Sequence, residues 1–317
     1  MIINHKNDIK RLTAYFISVS FAFLLNIYVL SGQQKAEPDN NSARTLSVAA
    51  VQMRSGENLQ ENVNHMSELI KKCAAYGARV VVFPECALSG YFKNIILELT
   101  EDQINKAEAQ VADACKEAKV YGIIGLPFRT EGKLFNSASI ITPEGKIIER
   151  YHKVQLAEDW PHPGDHLSVF MIDDIPCSVI ICHDERYPEL VRLPVLAGAR
   201  VVFYISYESG IRAENKIDPY RAQIQARAVE NNVFIVHSNA PANTDATGSH
   251  GQSRIIAPDG NIIKEASIFN EDIVMSTIDI GRASRSTARR SMMKTNRTDG
   301  VLQSWWEEGV KYVKIIK

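Results

Sequence analysis

The chain has 317 residues, 45% of them hydrophobic, and a formal net charge of −1 at pH 7. The near-neutral charge gives no electrostatic basis for binding nucleic acid or an acidic membrane surface. No internal repeat or low-complexity tract is present. A chain of this length can bury a large core without disulfides, so we expect one globular domain, over residues 45–281.

The first 32 residues form a segment of their own. Basic residues precede an apolar stretch over 12–30, and small residues follow it. This order is typical of a signal peptide, whose cleavage would leave an exported, periplasmic or extracellular protein. The stretch is also just long enough to span a membrane, so a membrane anchor over 12–30 is the alternative. A polar linker follows over 33–44.

Strands and helices then alternate along the domain. The hydrophobic pattern predicts strands at 46–53, 80–83, 121–125, 137–142, 146–151, 178–182, 201–205 and 232–239. It predicts helices at 61–76, 101–118, 188–197 and 219–231, and a hairpin turning at Pro258-Asp-Gly260. Helices that alternate with mostly buried strands indicate an α/β fold in which helices cover sheet layers. A C-terminal extension with two tryptophans follows over 282–317, and we expect it to pack against a partner subunit.

Three of the predicted strands end in reactive side chains. Glu85 follows the run Arg79-Val-Val-Val-Phe-Pro, Lys153 ends the segment Gly145-Lys-Ile-Ile-Glu-Arg-Tyr-His, and Cys182 ends the run Ser178-Val-Ile-Ile. Loops at strand ends form the crevices that hold ligands in open α/β sheets. We therefore expect these three side chains to meet at one edge of the sheet layers.

A carboxylate, an ammonium and a thiol are sufficient for attack on an amide-like carbonyl. Glu85 can take the proton of Cys182, because a free thiol is mostly protonated at neutral pH. Lys153 and the backbone N–H of His183 can stabilise the negative charge on the carbonyl oxygen. Taken singly, each residue has an ordinary alternative: a buried cysteine, a loop glutamate and a surface lysine.

The surrounding motifs resemble the nitrilase, or carbon-nitrogen hydrolase, superfamily, whose catalytic glutamate, lysine and cysteine occur in this order. Phe83-Pro-Glu85, Tyr151-His-Lys153 and Cys182-His-Asp-Glu-Arg-Tyr-Pro-Glu189 are similar to its three motifs. The resemblance extends from about Leu46 to Asp279. It implies a four-layer α-β-β-α sandwich, a thioester intermediate at Cys182 and a homodimer or larger assembly, without cofactor or metal.

The resemblance also implies the reaction: hydrolysis of a non-peptide C–N bond in a small-molecule amide or N-carbamoyl compound. His183 follows the cysteine where true nitrilases have a tryptophan, which favours the amidase-type branch. An acyltransferase of the same superfamily and a non-catalytic scaffold with this fold are the alternatives. Neither Lys153→Ala nor Glu85→Gln is expected to remove core volume, so both variants should lose turnover and keep the fold.

Several further residues are candidates for the pocket. Glu158, with Trp160 and Pro163-Gly164 after it, is similar to the family's additional glutamate beside the lysine, although Asp159 is adjacent. The other candidates for lining the substrate pocket are Tyr91, Trp160, His183, Tyr207 and Arg212. Cys86 is adjacent to Glu85 and could be a pocket thiol, but we expect it to point away from the pocket, because neighbouring residues of an extended chain face opposite sides. His162 and His166 are interpreted as loop residues, since no third ligand cluster joins them.

Overall fold

The computed structural model of the protein describes residues 44–214, 217–292 and 301–316. The predicted leader or anchor, residues 1–32, lies outside this range. Among the described helices, none combines the length and apolar character needed to cross a membrane.

The described strands form two mixed sheets. In chain order the strands are β1 Thr45–Gln52, β2 Val80–Val82, β3 Tyr121–Thr130, β4 Lys133–Ile141, β5 Ile147–His152, β6 Leu167–Ile172, β7 Ile175–Ile181, β8 Val201–Ser206, β9 Phe234–Asn239, β10 Arg254–Ile256, β11 Ile262–Glu265, β12 Asp272–Asp279 and β13 Val313–Ile316. The first sheet has the order β12-β1-β2-β3-β4-β5, and the second has the order β11-β10-β9-β8-β7-β6-β13.

Each sheet has a parallel centre. Strands β1, β2 and β3 run parallel in the first sheet, and β7, β8 and β9 run parallel in the second. Strand β4 is antiparallel to both β3 and β5, so β5 runs in the same direction as β3. The chain leaves β2 and β5 at the same edge of the first sheet, which brings Glu85 and Lys153 to that edge.

Helices cover the outer face of both sheets. They are α1 Leu59–Ala75, α2 Lys93–Glu98, α3 Glu101–Ala118, α4 Pro188–Leu196, α5 Ile217–Asn231, α6 Ser286–Arg290 and α7 Val301–Val310. Helices α1 and α3 pack together over the first sheet, while α4 and α5 pack on the second. A capping box begins α3, where the backbone N–H of Gln103 donates to Thr100 Oγ1 at 3.3 Å and Thr100 N donates to Gln103 Oε1 at 2.9 Å.

The alternation of side chains along β1 shows how the layers share the core. Leu46, Val48 and Ala50 pack between the two sheets, whereas Ala49 and Val51 face the helices α1 and α3. This arrangement confirms the predicted four-layer α-β-β-α sandwich. The pattern did not predict β6, β12, β13 or the short helix α2. Strand β13 pairs with β6 and so places part of the C-terminal extension at the edge of the second sheet.

Candidate functional site

Glu85 lies in a tight turn after β2 and is 1% exposed. Its Oε1 accepts hydrogen bonds from Asn136 Nδ2 at 2.7 Å and Lys153 Nζ at 2.9 Å, and its Oε2 accepts one from Tyr207 N at 2.8 Å. The turn packs directly on Gly125 of β3, where a Cβ would lie 2.2 Å from the Pro84 carbonyl oxygen. Only glycine allows this approach, so the sequence of β3 helps to set the position of Glu85.

Lys153 follows β5 and is fully buried between two carboxylates. Its Nζ lies 2.9 Å from Glu85 Oε1 and 2.6 Å from Glu158 Oε1. The backbone of Lys153 is held as well, because its N–H donates to Asn136 O and its carbonyl accepts from Gly164 N, both at 2.8 Å. Burial alone would lower the pKa of Lys153, but Glu85, Cys182 and Glu158 hold it well above the ordinary lysine value. The ammonium is therefore a permanent buried positive charge.

Cys182 is the first residue after β7 and begins a 3₁₀ turn over Cys182–Arg186. Its φ of +43° lies in the left-handed region, which is uncommon for a residue with a side chain and marks local strain. The residue keeps partial exposure, whereas the four other cysteines are buried, and all five are free thiols. The nucleophile candidate is thus presented at a bend in the chain instead of being packed in the strand.

Asp184 joins the cysteine turn to the lysine segment. Its Oδ1 accepts from Val154 N at 3.2 Å and Gln155 N at 2.8 Å, and its Oδ2 accepts from Ile181 N at 3.1 Å and Tyr151 Oη at 2.8 Å. One buried carboxylate therefore fixes the residues that flank Lys153 and Cys182 relative to each other. Asp184 is part of the cysteine motif, but the sequence alone does not show this bridging role.

The charges of the site act directly on the thiol. Burial raises the pKa of Cys182 well above its ordinary value, Glu85 and Glu208 raise it further, and Lys153 lowers it. Burial also raises the pKa of Glu85, although Lys153 opposes the shift. The resting thiol is therefore protonated, and a carboxylate with increased affinity for a proton lies within its electrostatic reach.

Of the two adjacent carboxylates, the structure places Glu158 beside Lys153. Glu158 Oε1 also accepts a hydrogen bond from the Tyr91 hydroxyl. Asp159 instead points to the surface and pairs with Lys93 at 2.7 Å. Asn136, in the middle of β4, adds the donor to Glu85 and was missed, because a single asparagine in an apolar strand carries no distinctive pattern.

A small pocket, partly open to solvent, lies next to Glu85. It is lined by Met53, Ser55, Pro84, Glu85, Cys86, Tyr91, Phe92, Tyr207 and Ala240. The rings of Tyr91 and Tyr207 stack with centroids 4.6 Å apart, and Trp160 packs on the small apolar cluster that contains Cys86. The expectation that Cys86 points away from the pocket is wrong, because its φ of +53° breaks the extended alternation.

Two other pocket candidates lie elsewhere. Arg212 is exposed, and its Nη1 donates to the Asp245 carbonyl oxygen at 3.4 Å. His183 is half-buried, and its ring packs edge-on against Tyr187 with centroids 5.7 Å apart. Neither residue lines the pocket described above.

Of the two loop histidines, His166 belongs to a local hydrogen-bond network, and the His162 ring packs against Phe135 with centroids 5.9 Å apart. His166 Nε2 lies 3.1 Å from Glu149 Oε1, and its Nδ1 lies 2.7 Å from Asp165 Oδ1. Across residues 44–214, 217–292 and 301–316, no group of three or more histidine, cysteine, aspartate or glutamate residues is arranged to hold a metal ion.

The four-layer sandwich, a cysteine that follows β7 directly and a buried lysine held by two carboxylates are the features expected of the nitrilase-superfamily class. Residues 47–287 match the family model described as carbon-nitrogen hydrolase, and the chain belongs to that family.

Curated relatives agree with this assignment over most of the chain. The omega-amidase NIT2 of Mus musculus is 25% identical over 270 residues, which cover 80% of this chain and 96% of the relative. Nitrilase homolog 2 of Dictyostelium discoideum is 25% identical over 303 residues, covering 89% of this chain and 88% of the relative.

Solved structures show the same fold. A mutant of Nesterenkonia AN1 amidase from the nitrilase superfamily superposes with a TM-score of 0.71 at 19% identity, covering 82% of this chain and 97% of that one. Saccharomyces cerevisiae Nit3, a member of branch 10 of the nitrilase superfamily, gives a TM-score of 0.69 at 22% identity, covering 80% and 97%.

Proposed function

We propose that the protein is an amidase that hydrolyses a small-molecule amide through a Cys182 thioester, with Glu85 and Lys153 as the other catalytic residues. One observation carries this proposal: a fully buried ammonium is held between Glu85 and Glu158 within electrostatic reach of a strand-end thiol. A structural ion pair alone would give no reason to surround Cys182, a residue that keeps partial exposure, with these charges.

The first half of the reaction uses the hydrogen bonds already present. Glu85 Oε1 accepts two donors and Oε2 only one, so Oε2 has the freer lone pair for the Cys182 proton. As that proton leaves, Sγ attacks the substrate carbonyl carbon and the carbonyl oxygen becomes negative. Lys153 donates to two carboxylates and keeps a third N–H, which with the backbone N–H of His183 stabilises this oxygen.

Collapse of this intermediate breaks the C–N bond. Glu85 returns the proton to the departing nitrogen, which leaves as ammonia or an amine, and the acyl group remains on Sγ as a thioester. Glu85 then takes a proton from water, whose oxygen attacks the thioester and releases a carboxylic acid. The proton returns to the thiol. The raised pKa of Glu85 suits a group that accepts and returns a proton in each half-reaction.

The pocket lining favours a short, uncharged acyl group. Glu85 is the charged residue of the pocket lining, and a carboxylate on the substrate would be repelled by it. One mutant of Nesterenkonia AN1 amidase forms a complex with butyramide, and another shows Michael addition of acrylamide at its active-site cysteine. The omega-amidase relatives favour a second candidate, an amide whose acyl part carries a carboxylate.

Ammonia release tests the proposal. The panel contains short aliphatic amides, monoamides of dicarboxylic acids, and N-carbamoyl compounds. We expect the parent protein and Cys177→Ala to release ammonia from the short amides, and Cys182→Ala and Glu85→Gln to release none above background. Cys177 is a matched control, because it lies in β7, the strand that ends just before Cys182, but packs in the core. Equal release by Cys182→Ala and the parent would contradict the proposal, and faster release from monoamides would favour the second candidate.

A further inference from the structure

A second buried cluster of charged and aromatic residues lies behind Cys182, and the mechanism above does not use it. Glu208, His250, His237 and Arg254 are each between 0% and 2% exposed. Glu208 is the central group. It follows β8 by two residues, so it comes from the edge of the second sheet that also carries Cys182.

The Glu208 carboxylate has a hydrogen bond on one oxygen and a close side-chain contact on the other. Tyr204 Oη donates to Oε1 at 2.6 Å, and His250 Nε2 lies 2.5 Å from Oε2. The backbone N–H of Glu208 donates to Asn239 Oδ1 at 3.3 Å. Burial alone would raise the pKa of Glu208, but the contact with His250 and the positive charge of Arg254 hold it at about 2. The residue is therefore an anion at every pH at which an enzyme of this kind is assayed.

Tyr204 connects this anion to the nucleophile. Its hydroxyl lies 3.3 Å from the carbonyl oxygen of Cys182 as well as 2.6 Å from Glu208, so the two acceptors share its single proton. The ring is fully buried and stacks on His237 with centroids 4.3 Å apart. Cys182 has the strained φ of +43°, and a donor fixed on its carbonyl helps to hold that conformation.

The same cluster reaches the other end of the cysteine turn. The ring of His250 stacks on Tyr220 with centroids 5.6 Å apart, and Arg186 Nη2 donates to the Tyr220 hydroxyl at 3.1 Å. Arg186 ends the turn that Cys182 begins. Contacts that start at Glu208 therefore reach both ends of this five-residue turn.

We propose that Glu208 is a positioning residue for Cys182: through Tyr204 it holds the carbonyl of the nucleophile turn, and its buried charge forms part of the field around the thiol. The inference rests on the proposed function, in which Cys182 is the nucleophile. The charged groups that act on the thiol include Glu85, Lys153, Glu208 and Glu158. Among them, Glu208 is the one that acts from the second sheet.

The consequence is a thiol that stays protonated until Glu85 removes its proton. Because Glu208 raises the pKa of Cys182, Glu208→Gln should lower it. Below that pKa, each unit of decrease gives about ten times more thiolate, while the intrinsic nucleophilicity of that thiolate falls about threefold. At a fixed pH, alkylation of Cys182 should therefore become about threefold faster for each unit by which its pKa decreases.

The test measures alkylation of Cys182 by iodoacetamide between pH 6 and pH 9, with peptide mass spectrometry to separate it from the other thiols. We expect Glu208→Gln to react faster than the parent and Glu108→Gln to match the parent. Glu108 is the control, because it is also a buried carboxylate with a charged partner, Arg150 at 2.7 Å. A merely structural role for Glu208 would lower the thermal stability and leave the pH dependence of alkylation unchanged.

Tyr204→Phe gives a second measurement that does not disturb the buried charge. We expect kcat to fall about tenfold with KM within about twofold, because the change acts on the nucleophile and not on the pocket. Alkylation of Glu208→Gln that matches the parent at every pH would overturn the inference, as would a parental kcat in Tyr204→Phe. If Glu208→Gln does not fold, Tyr204→Phe alone decides. Failure of the proposed function is distinguishable, because it requires full turnover by Cys182→Ala.

Discussion

Replacement of Lys153 by methionine should destabilise the protein, and more strongly at pH 8 than at pH 5.5. The sequence-based expectation treated a change at Lys153 as neutral for the fold because it would remove no core volume. That premise is wrong, since Lys153 is among the largest fully buried side chains. Methionine is the appropriate replacement, because it fills most of the lysine volume and removes only the charge.

The size of the destabilisation depends on the two carboxylates that lose the Lys153 ammonium as their counter-ion. Glu85 and Glu158 contact Lys153 Nζ at 2.9 Å and 2.6 Å. Without the ammonium, these two buried carboxylates have no positive charge between them. Loss of one partner from a buried ion pair costs about 3–5 kcal/mol in free energy of unfolding.

The dependence on pH follows from the protons that the two carboxylates would bind. Lys153 lowers the pKa of both groups, so its removal raises their pKa in the folded state above that in the unfolded chain. At pH values above the ordinary glutamate pKa, the folded variant then binds more protons than its unfolded chain does. Its free energy of unfolding therefore decreases as the pH rises, by up to about 1.4 kcal/mol per unit for each proton.

Urea unfolding followed by tryptophan fluorescence at pH 5.5 and pH 8 measures this difference. Lys93→Met is the matched control, because Lys93 pairs with Asp159 at a similar distance but is 55% exposed. We expect the control to unfold like the parent at both pH values. A Lys153→Met variant within about 1 kcal/mol of the parent at pH 8, or a loss equal at both pH values, would refute the reasoning.

Three further outcomes are expected. Asn136→Leu removes a hydrogen-bond donor that lowers the pKa of Glu85. The acid limb of the plot of kcat/KM against pH should therefore move to higher pH. An unmoved limb would show that this hydrogen bond does not set the pKa of Glu85. Tyr91→Phe removes the hydroxyl donor to Glu158 and should lower kcat/KM by about fivefold, or about 1 kcal/mol; parental kinetics would show that the hydroxyl is dispensable. Dithiothreitol should leave the thermal unfolding temperature unchanged because all five cysteines are free, so a fall would indicate a disulfide.

The sequence predicted the strands that end in reactive residues because their information is local. A short β-branched run followed by a polar residue indicates a strand end, and the parallel centres of both sheets place such ends at one edge. Strand β6 was missed because its run is short and follows a histidine- and proline-rich loop. Strand β13 depends on a partner about 146 residues earlier in the chain, and no local pattern contains that pairing.

The groups that support the site could not be predicted for the same reason. In the sequence, Asn136 is an isolated polar residue at the boundary of a predicted strand, and Glu208 is a carboxylate in a loop. Their roles arise from contacts across the fold, with Glu85 and with His250. Cys86 shows the reverse case, in which a local rule of alternation failed because the backbone turns at that residue.

The two sheets contribute different parts of the proposed catalytic set, and this division explains why the supporting groups exist. Glu85 and Lys153 follow strands of the first sheet, whereas Cys182 follows a strand of the second. The separation of the proposed base and nucleophile therefore depends on how the sheets pack, which van der Waals contacts alone define only loosely. Directional bonds supply the missing precision. Tyr207 N donates across the layers to Glu85 Oε2 at 2.8 Å, and Asp184 binds the cysteine turn to the lysine segment. Charged groups that are costly to bury thus fix a geometry that an apolar interface between sheets would leave variable.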